Sequence, residues 1–271
     1  MRLAIRHTTH YAFSQPVAHG LQRLRLTPKS THGQHVLDWH MSLDGAVEEV
    51  CYDDHNHNRT MLVSVLPGTQ ELSVTCTGTV ETADNAGVIG QHAGHMPLWT
   101  FLAQTPLTRP GARLRALAAG LAGARADPLS LCHELSRAVL AAMAYEIGRT
   151  DVSTSAEEAL AAGHGVCQDH AHVFISAARL LGVPARYVSG YLMMDDRIDQ
   201  EAGHAWAEAH VEGLGWIGYD VSNGICPDAR YVRVATGRDY AEAAPITGLS
   251  VGAGESALAV SVAVEQQMAG Q

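Results

Sequence analysis

The chain has 271 residues, 46% of them hydrophobic, and a formal net charge of -10 at pH 7. That is enough apolar material for one large or two modest domains. The acidic balance excludes a phosphate-binding face built from clustered Lys and Arg, so no nucleic-acid partner is expected. No apolar run approaches the roughly 20 residues that cross a bilayer, so no membrane partner is expected either. The opening MRLAIRHTTH lacks the apolar stretch of a secretory leader. Five cysteines at irregular spacing do not read as a disulfide framework. A reduced, cytoplasmic protein is the expectation.

Residues 1–85 read as strands. LAIRHTTHYAF, GLQRLRLTP, HVLDWHMSL, EEVCYDD, TMLVSVLP and ELSVTCTGTVE are rich in β-branched and aromatic residues, and several alternate with period two. Their breaks carry Pro, Gly, Asp or Asn. An antiparallel sandwich or small barrel is predicted, with no concentration of reactive residues. Arg23 and Arg25 form a short basic pair in one strand. The HNH of residues 55–57 falls in a strand-to-strand turn and is read as a loop.

The pattern changes after ETADNAGVIGQHAGHMP, which reads as a linker. GARLRALAAGLAG and DPLSLCHELSRAVLAAMAYE have helical spacing, with Asp127 before Pro128 as a start. Leu131, Leu135, Val139 and Met143 recur every four residues and mark a buried face. A short helix, SAEEALAAG, follows Ser155. The tail SALAVSVAVEQ is again a strand, over residues 256–265, and its sheet is left open.

Residues 163–172 read GHGVCQDHAH. From Cys167 the positions Ala171, Phe174, Ala178 and Leu181 step by three or four, so a helix with one inward face is predicted. Gly182 stops it, with Pro184 two residues on. Cys167 therefore sits in the first turn of a helix entered through Gly163 and Gly165. Free N–H groups and partial positive charge there favour the thiolate, which is the attacking species. The glycines let a carbonyl approach, and the Cys167 N–H can serve an oxyanion.

Two other readings compete for Cys167. A zinc site would draw on Cys167, His170, His172, His204 and His210, but structural zinc ligands come in spaced pairs and this cysteine is single. His170 lies one turn from Cys167, whereas His172 points elsewhere. A buried core thiol is the other reading. Cys51, Cys76, Cys132 and Cys226 are read as core or near-surface thiols, Cys226 lying closest in sequence to the candidate site. No metal and no cofactor is expected.

A nucleophilic thiol needs a base and a group that orients it. In GHAWAEAHVEGLGWIGYDVSNG, His204, Trp206, Glu208 and His210 alternate with small apolar residues, and Trp216, Gly218 and Asp220 alternate with Ile217, Tyr219 and Val221. Gly213 and Gly215 mark a hairpin. An odd loop over 212–214 pairs Val211 with Gly215 and Trp206 with Asp220. His204 and Asp220 then become diagonal neighbours on one face, about 7–8 Å apart at the backbone. An even loop separates them, and both registers stay open. Trp206 and Trp216 are candidates for lining an acyl tunnel, with packing as the simpler role. Glu208 and Asp169 are candidate supporting groups, although a carboxylate at position 169 also simply suits the helix dipole.

GVCQDHAHVFISAARLLGVPARYVSGYL, HAWAEAHV and GWIGYDVSNG together resemble the core of the transglutaminase-like superfamily, over about residues 130–235. THYAFSQPVAHGLQRLRLTP, GRDYAEAAPITG and the final strand resemble its bacterial members, which carry a β-rich region before the core. Where those members show a Y-D-x-F-G-N turn, this chain has YDDHNHN. The resemblance implies an α+β, papain-like fold, with a helix bearing the cysteine packed on an antiparallel sheet. A β-sandwich domain over 1–85 would precede a catalytic core over 95–250. It implies Cys167 as nucleophile, His204 as general base and acid, and Asp220 as the orienting carboxylate. It also implies a peptide or protein substrate and acyl transfer through a thioester, with cysteine-dependent amide or peptide hydrolysis favoured. Amine acyltransfer on the same fold and a non-catalytic peptide-binding module are the alternatives. Genes for such proteins lie beside those for ATP-grasp peptide ligases, which points to peptide-like products.

Overall fold

The computed structural model describes residues 1–124 and 127–267. The protein is α+β, with antiparallel sheets and few helices. It opens with β1 (Arg2–Phe13), β2 (His19–Thr27), β3 (Gln34–Asp44), β4 (Ala46–Asp53), β5 (Arg59–Val65) and β6 (Glu71–Thr82). The stretch read as linker contains a strand of its own, β7 (Val88–Gly90). Four helices follow: α1 (Ala112–Leu121), α2 (Pro128–Ala142), α3 (Ala156–Ala162) and α4 (Cys167–Leu180). Two short parallel strands, β8 (Ala144–Tyr145) and β9 (His164–Gly165), pair between them. The remainder is β10 (Ala185–Leu192), β11 (Asp199–Gln200), β12 (His204–Val211), β13 (Gly215–Tyr219), β14 (Tyr231–Gly237), α5 (Tyr240–Ala243), β15 (Ile246–Val251) and β16 (Ser256–Gln266).

The helix ends follow local chemistry. Asp127 caps α2 by accepting the N–H groups of Leu129 and Ser130. The helix ends at Ala142 and does not run on through the quoted segment, because Ala144 and Tyr145 pair with His164 and Gly165. Ser155 and Glu158 form a reciprocal capping box at the start of α3, and Gly163, at φ 73°, closes it in the left-handed conformation. The fourth helix departs from expectation in being buried on all sides from Gln168 to Arg179. The sheet face carrying Ala205, Ala207 and Ala209 covers one side, and residues such as Leu114, Leu135 and Leu160 of the three preceding helices cover the rest.

Three larger sheets pack around the hydrophobic interior. The first has strand order β11-β16-β1-β6-β3, the second β15-β2-β5-β4, and the central one β14-β10-β12-β13-β7. The C-terminal strand β16 thus runs antiparallel to β1 (Ile5 opposite Val264), and β15 pairs with β2. The expected boundary at residue 250 falls inside β15, so the end of the chain returns to the sheets of its beginning.

One face of β1 serves both halves of the molecule. Leu3 and Ile5 pack with Val232 and Val234 of the central sheet, while Phe13 packs with Leu24 and Val65 of the second sheet. His7, Thr9 and Tyr11, on the same face by strand alternation, lie between these two cores.

A buried charge cluster ties strands of the central sheet together. Glu208 on β12 accepts from Arg186 Nε of β10 at 2.6 Å and from Arg233 Nε of β14 at 2.7 Å. Gln34 of β3 brackets Arg233 through its backbone N–H and carbonyl. Burial alone would raise the Glu208 carboxyl, but the two arginines outweigh it and hold it at about 2. No helix among the described residues is long and apolar enough to cross a membrane.

Glu208→Ala leaves two buried guanidinium groups without their shared carboxylate, and is expected to cost about 3–5 kcal/mol of unfolding free energy. The carboxyl is held below its unfolded value, so its contribution is present above about pH 4.5 and lost as pH falls toward 2. Urea unfolding at pH 7 and pH 3 checks both points, with a loss below 1 kcal/mol at pH 7 contradicting the first.

Candidate active site

Cys167 is the first residue of α4, so its N–H lacks an intrahelical acceptor. The turn before it is held by Asp169, whose Oδ2 accepts the Val166 N–H at 2.8 Å and the Thr150 hydroxyl at 2.7 Å. Gly165 makes that possible, since a Cβ there would stand 2.6 Å from the Asp169 side chain. What the missing Cβ makes room for is thus this carboxylate. Asp169 is fully buried and does more than suit the helix dipole: it fixes the backbone that presents the thiol.

The hairpin adopts the odd-loop register. Val211 lies opposite Gly215 and Ala207 opposite Tyr219, so one further step brings Trp206 opposite Asp220. His204 and Asp220 share a face, and His204 Nε2 meets Asp220 Oδ2 at 2.6 Å. Asp220 is completely buried and also accepts from Tyr231 Oη at 2.7 Å and Asn223 Nδ2 at 2.7 Å. Burial pushes the Asp220 carboxyl up, but these donors and the His204 charge bring it below its ordinary value. With Nε2 committed to Asp220, Nδ1 is the imidazole nitrogen left for Cys167. Burial opposes charge on His204, yet its hydrogen bond to Asp220 and the proximity of Cys167 outweigh it and carry it up to about 10. Trp206 stacks on the His204 ring at 6.3 Å and meets Tyr231 edge-on at 5.5 Å. Its observed role is to wall the imidazole.

Cys167, His204 and Asp220 are thereby brought together, and the other candidates are not. Trp216 shares a face with Asp220 but lies four residues away, about 13 Å along a strand. Its ring packs on Phe101 and His210, with the Arg186 guanidinium 3.8 Å from its centre. Glu208 is spent on its two arginines. The histidines weighed as metal ligands have other partners: His170 contacts the Val166 and Met143 carbonyls, and His172 Nε2 accepts the Tyr240 N–H. Among the described residues no group of three or more His, Cys, Asp or Glu is arranged to hold a metal ion. Cys226 packs near Tyr219 and His133, outside the Cys167 cavity.

That cavity has a volume of about 280 Å³ and contains both Cys167 and His204. Much of its wall comes from the N-terminal strands, through His7, Thr9, Tyr11 and Arg25. A wider, open hollow of about 890 Å³ around Arg2, Gln34 and Glu81 touches none of the three candidate residues. The sequence reading missed this N-terminal wall, and it also missed Asn223, Tyr231 and Tyr145. Asn223 lies within the quoted YDVSNG, three residues past Asp220. Tyr145 pairs beside Gly165, and burial, with Cys167, Asp220 and Asp169 nearby, pushes its hydroxyl up to about 12, so it stays a donor.

Known sequences and structures resemble this chain over most of its length. Residues 115–221 match the transglutaminase-like superfamily, and residues 3–81 match the bacterial transglutaminase-like N-terminal region. An uncharacterized protein of Mycobacterium leprae is 29% identical over 97% of this chain and 98% of its own length. One from Mycobacterium tuberculosis is 28% identical over 92% of this chain and 87% of its own. Among solved structures, a protein from Cytophaga hutchinsonii described as a "putative cysteine protease" superposes with a TM-score of 0.75. It is 22% identical, and the match covers 100% of this chain and 92% of that one. That likeness extends the shared fold over the whole molecule, sandwich included.

A histidine raised above its unfolded value stabilises the fold at low pH and loses that contribution as pH rises through its folded value. His204 ring resonances are therefore expected not to titrate between pH 6 and 8, and to do so in Asp220→Asn. Between pH 7 and 10 the wild type should lose more stability than His204→Gln. A His204 that titrates near 6.5 in the wild type, followed by NMR, contradicts the assignment.

Proposed function

Because the chain belongs to the transglutaminase-like superfamily, with the bacterial N-terminal region ahead of its core, we propose that it is a cysteine-dependent amide or peptide hydrolase working through a thioester. The observation that carries this reading is the placement of His204. Its Nε2 is anchored on Asp220 at 2.6 Å, and it lines the same cavity as Cys167.

In the proposed reaction Cys167 Sγ attacks the amide carbonyl carbon, and the carbonyl electrons move onto oxygen. The Cys167 N–H, free at the start of α4, is positioned to donate to that oxyanion. His204 gives the proton on Nδ1 to the departing amine as the C–N bond breaks, leaving a thioester. A water molecule then loses a proton to His204 and attacks the thioester, releasing a carboxylic acid and restoring the thiolate beside protonated His204. Asp220 keeps its charge throughout. It holds the ring in one orientation and stabilises the imidazolium, as Tyr231 and Asn223 hold Asp220 in turn.

The test is incubation with a mixed peptide library and a labelled primary amine, read by mass spectrometry. Cleaved or deamidated peptides should appear with the wild type and be absent with Cys167→Ala. Asp220→Asn should slow the reaction on the order of 10³–10⁴-fold, by analogy with loss of the orienting carboxylate in other triads. Amine-tagged peptides in place of hydrolysed ones would make water the wrong acceptor and the protein a transferase. Products that persist in Cys167→Ala would overturn the mechanism.

A further inference from the structure

The wall of the cavity that holds Cys167 includes an arginine that the proposed chemistry does not use. Arg25 lies on β2, whose alternation up to Leu24 would send it outward with exposed Arg23. The pairing of β2 with β5 breaks register between Leu24 and Thr27, and Arg25 donates its backbone N–H to Pro245. A bulge of this kind re-aims side chains. Arg25 and Leu26 both turn inward as a result, and both line the Cys167 cavity.

Arg25 is 5% exposed. Its Nε donates to Asp54 Oδ2 at 3.0 Å, but its Nη1 is buried with no acceptor among the described residues. Asp54 is itself shared with the N–H groups of Asn56 and Asn58. A buried guanidinium with an unmet donor calls for an explanation, since such groups are nearly always paired. The cavity wall contains no Asp or Glu, although the chain carries 28 of them. Its remaining titratable groups are His204 and Cys167, tyrosines at 11, 187, 191 and 240, and His7. Burial lowers His7 to about 4, and its ring is occupied by Tyr191 and Thr9.

We infer that Arg25 is a substrate-binding residue that receives a free carboxylate, so the preferred substrate is a short amide or peptide bearing a carboxylate near the reacting carbonyl. This rests on the reading of the site given above and names its substrate class. A planar guanidinium whose Nη1 has no acceptor among the described residues matches a carboxylate better than any other group in the wall. At about 280 Å³ the cavity is at the small end of ligand pockets, which suits a short substrate over a loop of a folded protein.

The test measures binding and needs no turnover, so its failure is separate from failure of the hydrolase reading. Cys167→Ala protein is titrated with N-acetylglycine, N-acetyl-β-alanine and 4-acetamidobutyrate, each beside its carboxamide, and followed by NMR. At least one acid should bind about tenfold or more tightly than its amide, and the best one reports the spacing between carbonyl and carboxylate. Adding Arg25→Gln should erase the difference, and adding Arg25→Lys should keep a part of it, because a cation remains. If Arg25 serves only to hold Asp54, both variants shift the melting temperature and leave the acid preference intact, which overturns the inference. Equal binding of every acid and its amide to the Cys167→Ala protein also overturns it.

Discussion

The site depends on a single structural choice, the three-residue turn that joins β12 to β13. Strand side chains alternate faces, so a slip of one residue would send Asp220 to the side of the sheet occupied by α4 and leave His204 unpaired. Gly213 and Gly215 have φ of 83° and 85°, which lets this tight odd-length turn form without strain. The consequence is a 2.6 Å contact between Asp220 and His204 in the interior. The Asp220 charge is tolerable there because three side chains and a backbone N–H serve it. From that contact follow the direction of the imidazole, the nitrogen left for Cys167, and the cationic character of His204.

Burial sets the strength of this arrangement. The Ala205, Ala207 and Ala209 face lets α4 approach closely enough for Cys167, at its N-terminus, to meet the end of β12. Larger side chains there would lift the helix and the thiol with it. On the opposite face the same strand carries His204, Trp206 and Glu208. The Glu208 carboxylate is held by Arg186 of β10 and Arg233 of β14, in the same sheet. One strand thus packs the core, clamps the strands of its own sheet and orients the candidate base, using alternate residues for each.

What was legible in the sequence was whatever depends on local spacing. The six N-terminal strands, the capping of α2 by Asp127, the stop at Gly182 and the hairpin all follow from turn residues and period. The odd register was one of two readings, and the fold selects it. What was not legible depends on residues far apart in sequence. No local pattern says that Ile5 lies opposite Val264, that α4 is covered on every side, or that Tyr231 reaches Asp220 from eleven residues downstream. Arg25 is the sharpest case, because alternation argues for the solvent and only the bulge turns it inward. The N-terminal sandwich looked chemically silent for the same reason. His7, Thr9 and Tyr11 are ordinary strand residues until the central sheet is placed against them.

The central claim is that Cys167 is activated by a histidine that Asp220 holds in place. It is tested most directly by the rate at which iodoacetamide alkylates Cys167 at neutral pH in the wild type, His204→Ala and Asp220→Asn, with modification located by peptide mass. The account predicts a wild-type rate on the order of tenfold or more above that of a small free thiol, falling sharply in both variants. A wild-type rate equal to that of the free thiol, unchanged by either substitution, would contradict it.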